Sequence, residues 1–360
     1  MYSSNNKAIN LLTVSIYSLI KSKHKHTIYK ITIAHYDFKK KQKNRILEIL
    51  KIFQDNNVSI RFVNCKNYDI KYQLHKISNS RNNPLHIFWP SPMYYYFFVK
   101  LFYKTEHKII YLDTDTIIYK DLTPLYDYQF NTTFAGVKEY TLINWFNEQN
   151  NLYKSNKLPK SYYVYKTFLT RSTNRFQNYL NSGVLLINMD KYRQYSASKI
   201  LNKAIKKHLP DQDIIGLFFE KNITNINLTW NYCIHYFMDY WYDKMRKDMH
   251  YDIDYAHNWK QNASILHFTV RPKPSYFYNR HIIPIIHKLK GIEKYNQTLL
   301  EPKLAHQLVS LDADFFILHK VFHSKIIPLS KITSLYPEVF FEYGRIWYSM
   351  YNDLLSIKND

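Results

Sequence analysis

Along the first third of the chain, segments whose hydrophobic residues recur at helical spacing alternate with short apolar segments typical of strands. Apolar residues at helical spacing predict helices, and short β-branched runs predict strands between them. The predicted helices cover residues 11–20, 39–54 and about 94–103, and the predicted strands cover residues 27–34, 58–64 and a run that ends at Asp113. This alternation of strands and helices is typical of a nucleotide-binding α/β half.

The same two patterns return later in the chain, on either side of a polar and aromatic stretch over residues 140–178. That stretch predicts a long loop of the kind that forms lids or binding surfaces. The further predicted strands cover residues 133–138, 179–188, 223–228 and 264–268, and the further helices cover 192–208 and 211–220. Beyond about residue 282 the pattern is helical. We therefore predict one large α/β domain over residues 1–280 and a C-terminal helical region over residues 281–360.

Composition adds size and charge to this picture. A chain of 360 residues that is 46% hydrophobic has enough apolar material for a large core. Fifty Lys and Arg against 28 Asp and Glu give a net charge of +22, which favours an anionic partner such as a nucleic acid, a membrane surface or a phosphorylated substrate. Because no recognised nucleic-acid-binding motif accompanies the scattered charge, we do not expect a nucleic-acid partner.

The positions of the cysteines and the lengths of the apolar segments indicate in which cellular compartment the protein is expected. The two cysteines lie far apart and form no CxxC motif, so we expect neither a disulfide framework nor a zinc site. The first residues lack the pattern of a signal peptide, and nowhere do eighteen apolar residues run together. We expect a cytoplasmic protein. Interleaved Lys and aromatic residues beyond residue 282 predict either peripheral contact with an anionic membrane or acceptor, or a packed helical cap.

The most informative stretch is a β-branched strand followed by two carboxylates, Asp113 and Asp115. Along an extended backbone, residues i and i+2 lie on one side, so the two side chains can converge on a hard divalent cation. The carboxyl end of a parallel strand is also where α/β folds bind ligands. Asp-x-Asp occurs four times here, and only this copy follows a clear strand. The alternative is a solvated turn with two capping carboxylates.

Two further groups of polar residues adjoin predicted strands. His267 ends a strand and Lys273 follows it in a proline-stiffened turn. An imidazole can complete a coordination sphere that two carboxylates begin, and a lysine can neutralise phosphate oxygens. Asn181 and Ser182 precede a buried run, where Gly183 indicates a close approach to the backbone. The alternatives are an ordinary core histidine and an Asn-Ser-Gly turn that opens an ordinary core strand.

A fourth block, Asp211-Gln212-Asp213, follows Pro210 where a helix is predicted to start. Helix capping would explain one carboxylate at such a position without any further function. Capping does not explain Gln212.

The order of these blocks resembles the retaining glycosyltransferases of family 8, the group of glycogenin and the bacterial lipopolysaccharide galactosyl- and glucosyltransferases. The resemblance covers about residues 1–280 and rests on residues 12–19, Tyr111-Leu112-Asp113-Thr114-Asp115, the run from Asn181 to Asn188, Asp211-Gln212-Asp213, Thr229-Trp230-Asn231, His267-Phe268 and Lys273-Pro274. It implies an α/β GT-A fold, which is a Rossmann-like mixed sheet flanked by helices, with a C-terminal helical extension. The implied reaction is transfer of a hexose from a UDP-sugar, UDP-glucose or UDP-galactose favoured, to a hydroxyl with retained configuration.

The resemblance also implies a role for each matching residue. Mn²⁺, or Mg²⁺ in its place, would be held by Asp113, Asp115 and His267. Lys273 would contact the diphosphate, and the donor sugar would be surrounded by Asn181, Ser182, Asp211 and Gln212. Because Gln212 is an amide and a poor nucleophile, we expect front-face transfer without a glycosyl-enzyme intermediate. The implied acceptor is a hydroxyl of a glycan, a lipid-linked glycan or a protein.

The sequence departs from the family pattern at several places. Tyr96 stands where the family usually has an Arg, Asn5 where an acidic residue commonly meets uracil, and Glu139 where an aspartate contacts the sugar. We assign these three to donor binding. Gly216, Val270 and Ser275 are further departures. Tyr96, Val270 and Ser275 favour, as the alternative, a catalytically silent relative that binds UDP or carbohydrate, whereas the intact metal-site residues and Gln212 favour an enzyme.

Overall fold

Ten strands lie in the residues that this computed structural model describes, which are 1–74, 91–139, 179–207, 209–233, 262–269 and Met350. The predictions for the 140–178 loop, for Lys273 and for the 281–360 region as a whole lie outside these residues. The strands are β1 (Tyr2–Ser4), β2 (Tyr29–His35), β3 (Val58–Asn64), β4 (Lys108–Leu112), β5 (Thr116–Ile118), β6 (Phe134–Lys138), β7 (Leu180–Asn188), β8 (Ile223–Asn225), β9 (Tyr232–Cys233) and β10 (Ile265–His267).

Helices alternate with these strands. In the described ranges the α-helices are α1 (Ile9–Lys21), α2 (Lys40–Phe53), α3 (Lys66–Tyr72), α4 (Val99–Phe102), α5 (Thr123–Asp127), α6 (Met189–Tyr192), α7 (Ala197–Lys207) and α8 (Asp211–Phe218). Short 3₁₀ segments cover Asn6–Ala8, Ser91–Phe98, Glu220–Asn222 and Leu228–Trp230. No helix within the described ranges has both the length and the apolar content needed to cross a bilayer.

Seven of the strands form one mixed sheet in the order β3-β2-β1-β4-β7-β6-β8. β7 runs antiparallel to its neighbours β4 and β6, and the other adjacent pairs are parallel. Nearly the whole of β7 is buried, which explains the apolar run over residues 183–187 in its second half. A second sheet has the order β5-β10-β9, with β10 antiparallel to β5 and parallel to β9.

The apolar core lies on both faces of the large sheet because neighbouring strand residues point in opposite directions. On one face, α1 and the apolar stripe of α2 pack with residues such as Leu112 and Val184. On the other, the aromatic run 94–98 packs with Tyr111 and Leu185. The chain therefore forms helix, sheet and helix layers, which is the predicted α/β architecture.

Several predicted elements are confirmed and others are wrong in extent. β3 has the predicted bounds, and α1 and β7 differ from the prediction by one or two residues. The helix predicted at about 94–103 is instead a 3₁₀ segment over Ser91–Phe98 followed by the short α4. The helix predicted at 192–208 begins later, as α7 at Ala197, and Tyr192 is instead the last residue of α6. The strand predicted at 223–228 stops at Asn225.

The reversal of β7 decides where the candidate site residues meet. Ligands bind at the carboxyl ends of parallel strands, and β4 ends at Leu112, opposite Val184 of β7. Since β7 runs the other way, its first residues lie at that same edge. The backbone N–H of Asp113 donates to the carbonyl of Gly183 at 2.7 Å, so the two chain segments are in direct contact there.

Candidate functional site

Asp113, Asp115 and His267 form a cluster at this edge. Nε2 of His267 lies 3.6 Å from a carboxylate oxygen of Asp113 and 3.4 Å from one of Asp115. One ligand atom from each of the three side chains lies within 4.8 Å of the others. The Asp115 and His267 side chains are buried, but that of Asp113 is 35% exposed, so the cluster is open to solvent on one side.

The two carboxylates converge through a turn and not through strand alternation, which corrects the mechanism expected from the sequence. β4 ends at Leu112, residues 114 and 115 form the turn, and β5 begins at Thr116. The hydroxyl of Thr116 donates to the Asp113 carbonyl at 2.8 Å. The backbone N–H of Phe268 donates to the Asp115 carbonyl at 2.9 Å, which brings β10 and His267 against the turn.

His267 occupies space that exists only because residue 183 is glycine. A Cβ atom on Gly183 would lie 2.0 Å from Cε1 of His267 and within 2.9 Å of both ring nitrogens. The prediction that Gly183 permits a close approach is therefore confirmed. What approaches the backbone is the imidazole of the cluster.

Tyr111 fixes the orientation of Asp113. Its buried hydroxyl donates to Oδ1 of Asp113 at 2.7 Å, while Oδ2 faces His267. Its ring packs on that of Tyr96, with ring centroids 4.7 Å apart. Burial, followed by the neighbouring Asp113 carboxylate, raises the pKa of Tyr111 well above its ordinary value, so the phenol stays a neutral donor.

Tyr96 lies behind Asp211 and is fully buried. Its hydroxyl donates to Oδ2 of Asp211 at 3.2 Å. Burial, followed by the nearby Asp113 carboxylate, raises the pKa of Asp211 to about 7. A cation bound beside Asp113 would lower the pKa of Asp211 again, because it would offset the repulsion between the two carboxylates.

The start of β7 links the cluster to α8. The backbone N–H of Ser182 donates to Oε1 of Gln212 at 3.1 Å, and Gly183, the next residue, touches His267. The N-cap residue of α8 is Pro210, which makes no side-chain capping bond, so Asp211 is not the capping residue. The dipeptide Ser182-Gly183 therefore connects Gln212, on one side, to the predicted metal ligand His267, on the other.

Asn181 and Glu139 form a buried pair beside this dipeptide. Nδ2 of Asn181 donates to the Glu139 carboxylate at 2.7 Å, and the N–H of Gly183 donates to Oδ1 of Asn181 at 3.0 Å. Oδ1 of Asn181 also accepts from Nδ2 of Asn231 at 2.8 Å. Asn181, Glu139 and Ser182, three of the predicted donor-binding residues, thus all lie at the cluster edge.

The two remaining predicted donor-binding residues are Asn5 and Lys273. Asn5 follows the carboxyl end of β1, where its Oδ1 accepts from the N–H groups of Lys7 and Ala8 at 3.0 and 3.3 Å. Its side chain therefore caps the adjacent 3₁₀ segment. Lys273 belongs to the part of the chain outside the described residues.

Asn231 and Tyr111 belong to quoted motifs, but the sequence assigned them no role. Nδ1 of His267 lies 3.0 Å from Oδ1 of the buried Asn231. Tyr111 carried a signal that could have been used, because it lies two residues before Asp113 and near the end of a buried strand. Asn231 is 36 positions from His267, and only the pairing of β9 with β10 brings them together.

The cluster has the chemistry that a divalent metal such as Mn²⁺ requires. Two carboxylates and an imidazole suit a cation of this kind, and three protein ligands leave coordination positions for phosphate oxygens. The imidazole is held through Nδ1, which leaves Nε2 directed at the two carboxylates, as in metal sites whose histidine is oriented by an outer partner. The residues present therefore fit the metal that the sequence predicted.

Comparison with known proteins bears on the family and the fold of this chain. The family model for Glycosyl transferase family 8 matches residues 1–274. No curated protein matches the sequence.

Three solved structures share the fold. The WbbM bifunctional glycosyltransferase has a TM-score of 0.55 at 16% identity, over 82% of this chain and 50% of its own, so this chain spans half of that protein. The galactosyltransferase LgtC with donor and acceptor sugar analogs has a TM-score of 0.54 at 16% identity, over 82% of this chain and 98% of its own. An active-site mutant of LgtC has a TM-score of 0.53 at 17% identity, over 76% of this chain and 88% of its own. These likenesses identify the fold as GT-A.

Proposed function

The chain belongs to glycosyltransferase family 8, and from that we propose that it is a retaining, Mn²⁺-dependent hexosyltransferase that uses a UDP-sugar. The observation that carries the proposal is the convergence of Asp113, Asp115 and His267 beside the start of β7. UDP-glucose and UDP-galactose are the favoured donors. The acceptor is a hydroxyl of a glycan, a lipid-linked glycan or a protein, and Mg²⁺ is the alternative metal.

The leaving group of this reaction is a nucleoside diphosphate, whose charge grows as the bond to the sugar breaks. Bound at Asp113, Asp115 and His267, Mn²⁺ would supply Lewis-acid stabilisation of that charge. Lys273 would bind the same diphosphate as a point charge. Asn5 and Tyr96 complete the proposed donor site, Asn5 at the end of β1 and Tyr96 through its bond to Asp211.

The sugar would lie against the polar residues at the starts of β7 and α8. We assign its orientation to Asn181, Ser182, Glu139 and Asp211, whose mutual hydrogen bonds fix their positions before substrate arrives. Gln212, held by the N–H of Ser182, would lie beside the anomeric carbon without attacking it. Pre-organised polar groups of this kind stabilise a transition state at little reorganisation cost.

Retention follows if the acceptor attacks from the face that the diphosphate leaves. The bond from the anomeric carbon to the diphosphate oxygen breaks, and the acceptor oxygen forms the new bond on the same face. The acceptor proton passes to the departing diphosphate. No protein nucleophile is required, which is consistent with an amide at position 212.

The test is a panel of UDP-sugars incubated with the protein and Mn²⁺, with products followed by proton NMR. We expect UDP release from one or a few donors and a first-formed sugar or glycoside with the donor's anomeric coupling. Asp113→Asn should abolish the release while leaving the protein folded, because the side chain lies at the open end of the sheet. An inverted product would overturn the retaining assignment.

The alternative function predicts a different result in the same assay. A catalytically silent relative would bind UDP or a sugar but release no UDP from any donor, with or without acceptors. The hydrogen bond that orients Gln212 favours the enzyme, because a protein that only binds has no need of a fixed amide at that point.

A further inference from the structure

A line of hydrogen bonds connects the predicted metal ligand His267 to the predicted sugar-binding residue Glu139. It runs from Nδ1 of His267 to Oδ1 of Asn231 at 3.0 Å, and from Nδ2 of Asn231 to Oδ1 of Asn181 at 2.8 Å. It ends with Nδ2 of Asn181, which donates to Glu139 at 2.7 Å. Asn231 is the inner member next to His267, and it is fully buried.

The direction of this line can be deduced from one backbone group. The N–H of Gly183 can only donate, so the Asn181 atom that lies 3.0 Å from it must be the amide oxygen. Asn231 must then donate to that oxygen through its NH₂ group, which leaves its own oxygen facing His267. Both amide orientations are therefore fixed by hydrogen bonding.

The orientation of Asn231 selects the tautomer of His267. An amide oxygen can only accept, so Nδ1 of His267 must carry the proton. In the neutral ring, Nε2 then has a lone pair directed at the cluster, 3.6 and 3.4 Å from the two carboxylates. The thiol of Cys233 also lies 3.8 Å from Nδ1, but a thiol is a weak partner beside an amide oxygen at 3.0 Å.

We infer that Asn231 is a positioning residue with two tasks: it holds His267 in the tautomer that can bind a metal, and it holds Asn181 against the donor sugar. The inference rests on the proposed function, since it concerns the same metal and donor. It assigns to Asn231 a coupling between the two halves of the site. A substitution of Asn231 should therefore change both metal binding and sugar binding, and different substitutions should separate the two effects.

Two substitutions separate the tasks. Asn231→Leu removes the acceptor for His267 and the donor to Asn181. Asn231→Asp keeps an acceptor for His267, but it replaces the donor to Asn181 with a second acceptor and adds a negative charge. Asn227→Ala is the matched control, because Asn227 lies in the same segment, is exposed and caps the 3₁₀ segment before β9.

The first measurement needs no metal. Nitrogen-15 NMR of the histidine rings, with His267 assigned by its loss in His267→Gln, reports which ring nitrogen is protonated. We expect the Nδ1–H form in the wild type, in Asn231→Asp and in Asn227→Ala, and a shift to the Nε2–H form in Asn231→Leu. An unchanged tautomer in folded Asn231→Leu would overturn the inference.

The second measurement is Mn²⁺ affinity without nucleotide, followed by electron paramagnetic resonance. Loss of an outer hydrogen-bond partner of a histidine ligand typically costs about 10- to 100-fold in metal affinity, so we expect that loss in Asn231→Leu. Asn231→Asp should stay within a few-fold of the wild type yet turn over UDP-sugar at least about tenfold more slowly. Equal weakening of metal binding in both variants would contradict the inference.

The two measurements keep the inference and the proposed function apart. A wild type that binds no Mn²⁺ would contradict the proposed function, while the tautomer measurement would still decide the role of Asn231. Normal Mn²⁺ binding by Asn231→Leu would contradict the positioning role and leave the proposed function standing.

Discussion

Gly183→Ala is the most stringent test of the cluster geometry. The added methyl would lie 2.0 Å from Cε1 of His267, whereas carbon atoms pack best at about 3.5 to 4.0 Å. The imidazole would have to retreat by about 1.5 Å or more. It cannot do so and keep its hydrogen bond to Asn231 at 3.0 Å. The substitution should therefore displace the ring from the cluster.

Two magnitudes follow from this displacement. Metal–ligand distances tolerate only about 0.2 Å, so His267 would cease to be a ligand and Mn²⁺ affinity should fall at least about 100-fold. Overpacking of a buried site typically costs about 1–3 kcal/mol, so the free energy of unfolding should fall by that amount. Calorimetric Mn²⁺ titration measures the first effect and urea unfolding of the metal-free protein measures the second.

A double-mutant cycle with His267→Ala identifies the cause. Removal of the ring opens the space that the new methyl needs, so Gly183→Ala should cost much less stability in that background. We expect a coupling energy of about 1–3 kcal/mol between the two substitutions. Gly136→Ala is the control, because its Cβ would meet side chains of Leu180 and Leu185 at 3.1 and 3.2 Å without reaching the cluster.

Two results would refute this reasoning. One is wild-type Mn²⁺ affinity in Gly183→Ala. The other is equal destabilisation by Gly183→Ala with and without the His267 ring, which would show that the glycine is required for some other reason.

Three further predictions concern the surrounding side chains. Tyr111→Phe removes the hydroxyl that orients Asp113 and should weaken Mn²⁺ binding about 10-fold. The control is Tyr192→Phe, which removes an equally buried hydroxyl bonded to the Phe97 carbonyl and should leave Mn²⁺ binding unchanged. Equal effects of the two substitutions would contradict the role of Tyr111. Gln212→Ala should slow turnover about 10- to 100-fold with UDP affinity nearly unchanged, and a covalent glycosyl adduct on wild-type Gln212 would contradict front-face transfer. Burial raises the pKa of Asp213 to about 7, so the folded protein keeps a proton that the unfolded chain releases above about pH 4. The free energy of unfolding of the metal-free protein should therefore fall as the pH rises from about 4 to about 7. Measured by urea unfolding at about pH 5 and about pH 8, Asp213→Asn should reduce this fall by up to about 3 kcal/mol, and an unchanged fall would contradict the prediction.

The strands and helices with a single clear period were predictable from the sequence. β3 and β7 have strong strand patterns because the first is β-branched and the second is buried along almost its whole length. The aromatic run from Tyr94 to Phe98 was not predictable in the same way. All five of its side chains are buried, so no polar face marks a helical period, and the segment forms a 3₁₀ turn instead.

Short strands and strand directions depend on tertiary contacts. Periodicity did not predict β1, since three residues are too few to show a period, and it is held by pairing with β2 and β4 on either side. The reversal of β7 has no local signal either. It is, however, what brings Asn181 and Ser182 to the end of β4.

The candidate site divides in the same way. The carboxylates, His267 and Gln212 are chemically distinctive residues beside predicted strand or helix ends, and the sequence identified them. Asn231 and Tyr111 act through bonds to those residues, so their importance depends on distances that only the folded chain defines.

We propose that Asp113, Asp115 and His267 bind a metal to which UDP is coordinated. Calorimetric titration of UDP into the wild-type protein, once with Mn²⁺ and once with EDTA, tests it most directly. We predict that Mn²⁺ strengthens UDP binding at least about tenfold, or about 1.4 kcal/mol, and that Asp113→Asn removes this gain while the protein stays folded. Equal UDP affinity in Mn²⁺ and in EDTA would contradict the claim.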